Sequence, residues 1–238
     1  MDDLLDAVRT RGWARLTWWD GVDIGTVNDS YPELFDGHPL GHEGRTLRPL
    51  DSADAKSGTM SFFTGLGRQP PHTDKAHFVL PPRYVVLRCE DAGAASCPTV
   101  MWTLDWKKLE RSPPALLTEP GWLIRRSLGK QFYGQVIDFA LDGIGRVRFD
   151  PLCMSLPGRS GATNEALRTL LAGAIVSPIE WRSGDTLLID NWRALHARSA
   201  VEKGATSRRL SRWISGGGVG LELGHVEGQS AALWAARP

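Results

Sequence analysis

The chain has 238 residues, 42% of them apolar and 23% charged, and a formal net charge of +1. That length supports one sizeable core and is short for two, so a single domain over residues 1–238 is expected. The balanced charge gives no overall field for nucleic acid or an anionic membrane, and three cysteines without CxxC spacing argue against a disulfide framework or a structural zinc site.

The first residues, MDDLLDAVRTRGW, are acidic at once and lack an apolar signal core. No apolar run approaches the ~20 residues of a membrane span, so a cytoplasmic protein is expected. Residues 2–11 read as a short amphipathic helix with Leu4, Leu5 and Val8 on one face, stopped by Gly12. "GWARLTW" reads as the first strand. Residues 20–58, rich in Gly, Pro, Asp and Ser, read as loop with one helical turn, forming a wall or lid over a site.

From Thr59 the texture turns to short β-type runs: "TMSFFTGL", "HFVL", "RYVVLRCE", "TVMWTL", "WLIRRSL", "QFYGQVIDFAL", "RVRF", "IEW", "TLLIDNW" and "RLSRWIS". Turn signals such as DAG, LDGIG and RSGD separate many of them. One helix interrupts, capped by Asn164 and running through "EALRTLLAGAIV". Many short strands and few helices favour a sandwich or barrel over a parallel βαβ sheet. Residues 222–238 read as a tail.

The sharpest local signal is "QPPHTDKAHF". On a strand, His72 and Asp74 leave the same face and supply two legs of a metal tripod. The prolines before them suit a sheet edge or mouth. A third leg must come from elsewhere, and His196 in "TLLIDNWRALHAR" is the best candidate; its bland alternative is a histidine that closes a turn. Two imidazoles and one carboxylate on one face suit iron(II) and O₂ chemistry. Downstream, "SRRLSRW" places Arg208 and Arg212 on one face of an expected strand and Arg209 on the other. Guanidinium groups turned inward need anions, and their planar fork suits a dicarboxylate. A solvated basic strand is the alternative.

These three segments, "PHTD", "NWRALHAR" and "RRLSRW", in this order resemble the taurine dioxygenase (TauD/TfdA) family of Fe(II)/2-oxoglutarate dioxygenases. "PPRYVVLRCEDAGAASCPT" resembles the family segment that ends in a cosubstrate-binding threonine, the place held here by Thr99. The likeness spans roughly residues 60–215 and is weaker between 105 and 175. It implies a mainly β fold with flanking helices around a double-stranded β-helix (jelly-roll, cupin-like) core. It implies iron held by His72, Asp74 and His196, and 2-oxoglutarate held by Arg208 with Thr99. Arg212 takes the place of a second family arginine, near the cosubstrate or on an acidic group of the substrate. Ser211 is a departure, since many relatives have histidine before that arginine. The chain is also short for the family, so the insertions that close over substrate are expected to be small or absent.

The implied activity is hydroxylation of an unactivated C–H of a small organic substrate, an amino acid or natural-product intermediate, with 2-oxoglutarate and O₂ converted to succinate and CO₂. Asp74 favours hydroxylation over halogenation, because related halogenases lack the carboxylate. Desaturation or cyclisation would use the same ligands. A jelly-roll zinc hydrolase or isomerase with the same triad, and a non-catalytic binding protein of the same fold, are the rival classes. Gln69, Arg68, Arg193 and Arg198 are further candidates for the substrate side, with solvated or packing roles as the alternative. Trp18, Trp19 and Trp102 could stack on a ligand, although core packing accounts for most tryptophans. His77 is read as a core or surface histidine rather than a ligand.

Overall fold

The run "YVVLRCED" alternates between two buried faces, and that alternation organises the molecule. The structure is a computed structural model, and it describes residues 2–16, 29, 35, 40–41, 44–94, 96–126, 129–139, 145–201 and 206–215. Strand β3 (Tyr84–Asp91) lies at the middle of a five-stranded antiparallel sheet. Its neighbours are β11 (Thr186–Asp190) and β13 (Arg209–Ile214), flanked in turn by β1 (Trp13–Leu16) and the edge strand β2 (Arg45–Leu47). Tyr84 and Val86 pack outward with Leu4 and Val8 of helix α1 (Asp2–Arg11). Val85, Leu87 and Cys89 pack inward with Met101, Leu187, Ile189 and Leu210.

The inward face meets a second antiparallel sheet, in the order β10 (Ile175–Ile179), β4 (Thr99–Thr103), β12 (Ala194–Arg198). The chain alternates between the two sheets from β10 through β13, which is the winding of a double-stranded β-helix. The fold is therefore a mainly β, antiparallel jelly-roll. Val100, Trp102, Leu195 and Ala197 leave the far face of the second sheet and join a separate core. Helices α3 (Trp106–Arg111), α4 (Ala115–Thr118) and α5 (Ala162–Leu171) cover that core, together with the sheet formed by β6 (Gln131–Gly134), β5 (Trp122–Arg125) and β9 (Met154–Ser155). A hairpin of β7 (Ile137–Phe139) and β8 (Gly145–Val147) completes it.

Several expected elements differ, each for a local reason. "TMSFFTGL" forms a short helix, α2 (Met60–Thr64): the Thr59 hydroxyl caps the Phe62 amide and Gly65, at φ +51°, ends the turn. Its alternation buries nothing, and Phe62 and Phe63 are 40% and 55% exposed. "HFVL" is no strand, because the half-buried Arg148 guanidinium takes the carbonyls of Ala76, Phe78 and Val79 that a ladder would need. The helix expected from Asn164 begins at Ala162 and stops at Leu171, and Gly173 at φ +89° then releases Ile175–Ile179 into β10. Pro178 is tolerated because β10 is an edge strand. "QFYGQVIDFAL" divides into β6 and β7. Within the expected loop 20–58, Arg45–Leu47 pairs with β13 as an edge strand. Trp18, Trp19, most of 20–43 and the tail 222–238 lie outside the described residues. Among the described residues, no helix is long and apolar enough to cross a membrane.

Asp190 closes β11 in a fully buried turn, accepting from the Trp192 amide at 3.1 Å with Arg83 Nε 3.5 Å away. Burial pushes its carboxyl up to about 6 against the partial relief from Arg83. The folded state binds this proton more tightly than the unfolded state. Its stabilising contribution is therefore fully present below pH 3.8 and is lost as the pH rises through 6. Asp190→Asn should consequently gain stability relative to wild type by roughly 3 kcal/mol between pH 3.5 and 7. Urea unfolding of both proteins across that range measures it, and a pH-independent difference would refute it.

Candidate metal centre and cosubstrate pocket

A two-residue antiparallel bridge brings the two distant histidines together. The His72 amide donates to the His196 carbonyl at 3.0 Å and the His196 amide donates back at 3.1 Å. Directly opposed residues of such a pair project to the same side. The imidazoles stand with centroids 4.7 Å apart, inclined by 45°. His196 lies on β12 with Ala194 and Arg198 on its inward-facing side, while Leu195 and Ala197 fill the opposite core. It therefore sits on a strand of its own, after the Asp190–Arg193 turn, instead of at the end of "TLLID".

The segment carrying the early pair is not an extended strand. His72 alone bridges, and Asp74 opens a turn in which Lys75 takes φ +56°. Its shape is held one residue at a time by three different elements. His72 is bonded to β12. Thr73 donates its amide to the Phe149 carbonyl at 2.7 Å and accepts the Phe149 amide on its hydroxyl at 3.1 Å. Asp74 is held by the wholly buried Asn191, whose side-chain oxygen accepts the Asp74 amide at 2.8 Å. The Asn191 amide nitrogen donates to the carbonyls of Asp74, at 3.0 Å, and Pro82, at 2.8 Å. Asn191 imitates a strand partner where no strand runs. Nothing in "DNW" distinguishes it from an ordinary turn asparagine, so sequence reasoning had no signal for it.

His72 Nδ1 lies 2.9 Å from the Pro70 carbonyl, which can only accept. The proton is therefore on Nδ1, and the Nε2 lone pair is left for another partner. Burial, and secondarily His72, push His196 down to about 3, so its imidazole is neutral at physiological pH, the form that ligates metals. His196 Nδ1 is buried without any hydrogen-bond partner. Burial pushes the Asp74 carboxyl up, but Arg212, His196 and His72 outweigh it and hold it down to about 2. At neutral pH the guanidinium is the cation that counts, with Arg212 Nη1 2.9 Å from both carboxylate oxygens.

This donor set fits a divalent metal: two imidazoles side by side, one with a buried unpartnered nitrogen, and a carboxylate ionised at any working pH. Among the described residues no three His, Cys, Asp or Glu side chains stand as a closed metal cluster, and Asp74 faces Arg212. A carboxylate has about four lone-pair sites and Arg212 occupies two, so both contacts can coexist.

His72, Asp74 and His196 line a cavity of about 440 Å³ at the open end of the space between the two sheets. Thr99, Gln69, Arg198, Arg208 and Arg212 line it too. Arg208 is buried; one nitrogen donates to the Cys97 carbonyl, and its Nε is buried without a partner. Arg209 is turned out toward Asp91 at 3.9 Å. Strand β13 begins at Arg209 with a register irregularity between Arg209 and Leu210, so Arg208 precedes the strand. Gly93, at φ +77°, supports it from below, since a Cβ there would come within 2.9 Å of the Arg208 amide nitrogen. Thr99 faces the same space, and its hydroxyl accepts from Trp181 Nε1 at 3.1 Å, leaving its own hydrogen free to donate.

The other substrate-side candidates separate. Gln69 lines the cavity and accepts the Arg198 amide at 3.3 Å. Arg198 spends its guanidinium on the carbonyls of Gly65, Leu66, Gly67 and Ser199, tying the end of α2 to β12. Arg193 is away from the cavity, stacked 4.0 Å over Trp106 and paired with Glu110 at 2.8 Å. Arg68 is also away from it, 5.9 Å from the Trp102 ring, whose own burial is in the core. His77, half-buried, lines the cavity but stacks edge-on against Phe78.

No protein-family profile matches the chain, and no curated protein matches its sequence. Solved structures do match. An asparagine oxygenase in complex with Fe(II), (2S,3S)-3-hydroxyasparagine and succinate superposes with a TM-score of 0.60 at 15% identity, over 90% of this chain and 77% of that one. The non-haem iron oxygenase OrfP with Fe and α-ketoglutaric acid gives 0.57 at 20% identity, over 87% and 70%. The chain has the fold of the non-haem iron oxygenases. The OrfP complex with Fe, succinate and (3R,4R)-dihydroxy-L-Arg gives 0.54 at 21% identity, and this chain spans 58% of that protein's length.

Asn191→Ala leaves the Asp74 backbone without its partner but removes no candidate ligand. Affinity for Mn(II), read by electron paramagnetic resonance titration, should fall about 10- to 100-fold, the usual cost of losing an outer-shell support. Unchanged affinity in a folded variant would show that the turn does not govern the site.

Proposed function

We propose that this chain is a non-haem Fe(II)/2-oxoglutarate-dependent oxygenase that hydroxylates a C–H bond of a small amino-acid-like substrate. The observation that carries the reading is the His72–His196 bridge, which sets two imidazoles beside the Asp74 carboxylate in a cavity that also holds a buried guanidinium lacking an anion. His72, Asp74 and His196 would hold iron(II), which together with 2-oxoglutarate and O₂ supplies the oxidising power.

The protein's own residues do the rest. Arg208 receives the distal carboxylate of 2-oxoglutarate. A buried guanidinium is costly without an anion, and among the described residues no carboxylate pairs with it. Thr99 donates its hydroxyl hydrogen to the same carboxylate, oriented by Trp181. The Pro70 carbonyl keeps His72 in one tautomer. Arg212 neutralises Asp74 and keeps it ionised, so it is committed to the carboxylate ligand more than to a substrate. The apolar wall of Leu87 and Leu210 limits water near the reacting centre. The resemblance of "PHTD", "NWRALHAR" and "RRLSRW" to the taurine dioxygenase family supports the same assignment. So do the amino-acid products held by the asparagine oxygenase and OrfP structures.

Anaerobic addition of Fe(II) and 2-oxoglutarate should produce a visible charge-transfer band, and exposure to O₂ should release succinate. His72→Ala, Asp74→Ala and His196→Ala should each abolish succinate formation. Arg208→Ala should raise the 2-oxoglutarate requirement about 10- to 100-fold, since a hydrogen bond to a charged group contributes about 1.5–3 kcal/mol. A chain that binds Zn(II) but gives neither band nor succinate would defeat the proposal.

A further inference from the structure

The mouth of the cavity carries a second, unassigned group of cations. Six positively charged residues line the cavity, Arg45, Arg48, Lys75, Arg198, Arg208 and Arg212, against two carboxylates, Asp74 and Asp150. Arg212 is taken by Asp74, Arg198 by loop carbonyls, and Asp150 by the Leu152 amide that it caps at 2.9 Å. Arg208 is the buried guanidinium at the cosubstrate end. Arg45, Arg48 and Lys75 remain, and among the described residues no carboxylate pairs with any of them.

Their placement is built. In the β2–β13 ladder Arg45 stands directly opposite Arg212, so the two guanidiniums leave the same face, the one that Leu47 and Leu210 share two pairs further along. Opposed like charges destabilise a strand pair, and Asp74 already offsets Arg212, so the charge left unanswered here is that of Arg45. Lys75 follows the metal-ligand candidate Asp74 directly, in a left-handed backbone conformation uncommon for a non-glycine residue. Arg48 continues the same wall immediately after β2. Two stretches of chain far apart in sequence, β2 with the residue after it and the turn after Asp74, thus gather positive charge at one opening.

We propose that Arg45, Arg48 and Lys75 form an anion-binding subsite at the cavity mouth, which receives an oxyanion group of the substrate: a carboxylate, sulfonate or phosphate. The subsite is separate from Arg208, which lies at the buried end. The substrate assignment rests on the oxygenase reading. In that reading the oxyanion anchors one end of the substrate at the mouth while its reacting carbon extends inward toward His72 and His196. Arg and Lys both serve here, the former by forked hydrogen bonds and the latter as a point charge.

Sulfate is the probe, titrated calorimetrically at low ionic strength into the full chain, both alone and loaded with Mn(II) and 2-oxoglutarate. Wild type should bind sulfate and show a rise in melting temperature with it. The triple variant Arg45→Gln/Arg48→Gln/Lys75→Gln should bind at least about tenfold more weakly. Without sulfate that variant should melt no lower than wild type, because it removes an uncompensated cluster of like charges. The charge-keeping variant Arg45→Lys/Arg48→Lys/Lys75→Arg should retain binding, and so should Arg208→Ala. Equal sulfate affinity in wild type and the glutamine variant, or loss of binding in Arg208→Ala, would overturn the subsite. Sulfate binding through these cations in a chain that forms no succinate would keep the subsite and sink the oxygenase reading. Succinate formation with sulfate affinity indifferent to the three residues would do the reverse.

Discussion

The site depends on two backbone hydrogen bonds between His72 and His196. Side-chain chemistry alone cannot bring two imidazoles from opposite ends of a chain to within 4.7 Å of each other. A reciprocally bonded antiparallel pair can, because it fixes both the separation of the two backbones and the side to which each Cβ points. A metal–nitrogen bond is about 2.0–2.1 Å, so an ion shared by both rings has to lie between them. The jelly-roll supplies the platform: β12 is braced by β4 and by the apolar residues Leu195 and Ala197 behind it, so the downstream histidine has little freedom to leave.

The upstream partner is held quite differently. His72, Thr73 and Asp74 belong to no strand, and each is fixed by a separate neighbour: β12, Phe149 and Asn191. Arg148 then gathers the carbonyls of Ala76, Phe78 and Val79, so the loop after the candidate ligands is closed by a half-buried cation. A rigid strand on one side and a loop pinned at every residue on the other give preorganisation without a second ladder. Irregular backbone near a ligand site is common where its polar groups find partners, as the amides of His72, Thr73 and Asp74 do here.

This division explains what was legible in the sequence. A sandwich or barrel could be read because "YVVLRCE", "TVMWT" and "TLLID" are short apolar runs rich in β-branched and aromatic residues, while the jelly-roll winding rests on the family resemblance. His72, Asp74 and His196 could be singled out as a motif, and the choice of Arg208 over Arg209 rests on the family resemblance, since the strand spacing to Arg212 is undone by the irregularity at Arg209–Leu210. The extended geometry assumed for "HTD" was mistaken, since the turn at Asp74–His77 is imposed by Asn191 and Arg148, residues far away in sequence. For the same reason "HFVL" looked like a strand and is not. "TMSFFTGL" misled in the other direction: its aromatic residues suggest β structure, but a threonine cap and a glycine stop decide a five-residue stretch that buries no side chain. Arg193 and Arg198 could not be separated by inspection. One stacks on Trp106 and the other closes a loop, and both roles depend on contacts made only by the folded chain.

The cations of the cavity are graded by depth, and that grading assigns them different work. A charge in a low-dielectric interior interacts several times more strongly than the same charge near solvent, but its desolvation must be met by a partner. Arg208, buried and tethered to one carbonyl, suits an anion that enters and stays, as the proposed cosubstrate would through a turnover. Arg212 is half-buried and already has its anion in Asp74, so its effect falls on that carboxylate and, in the proposed function, through it on the metal. Arg45 and Arg48 are exposed, where salt screens them and no single contact is strong. Charges at that depth hold an anion only by acting together, and they attract and orient it on approach. An entering substrate would thus meet weak cations first and the reactive centre last, and a product could leave without breaking a buried ion pair.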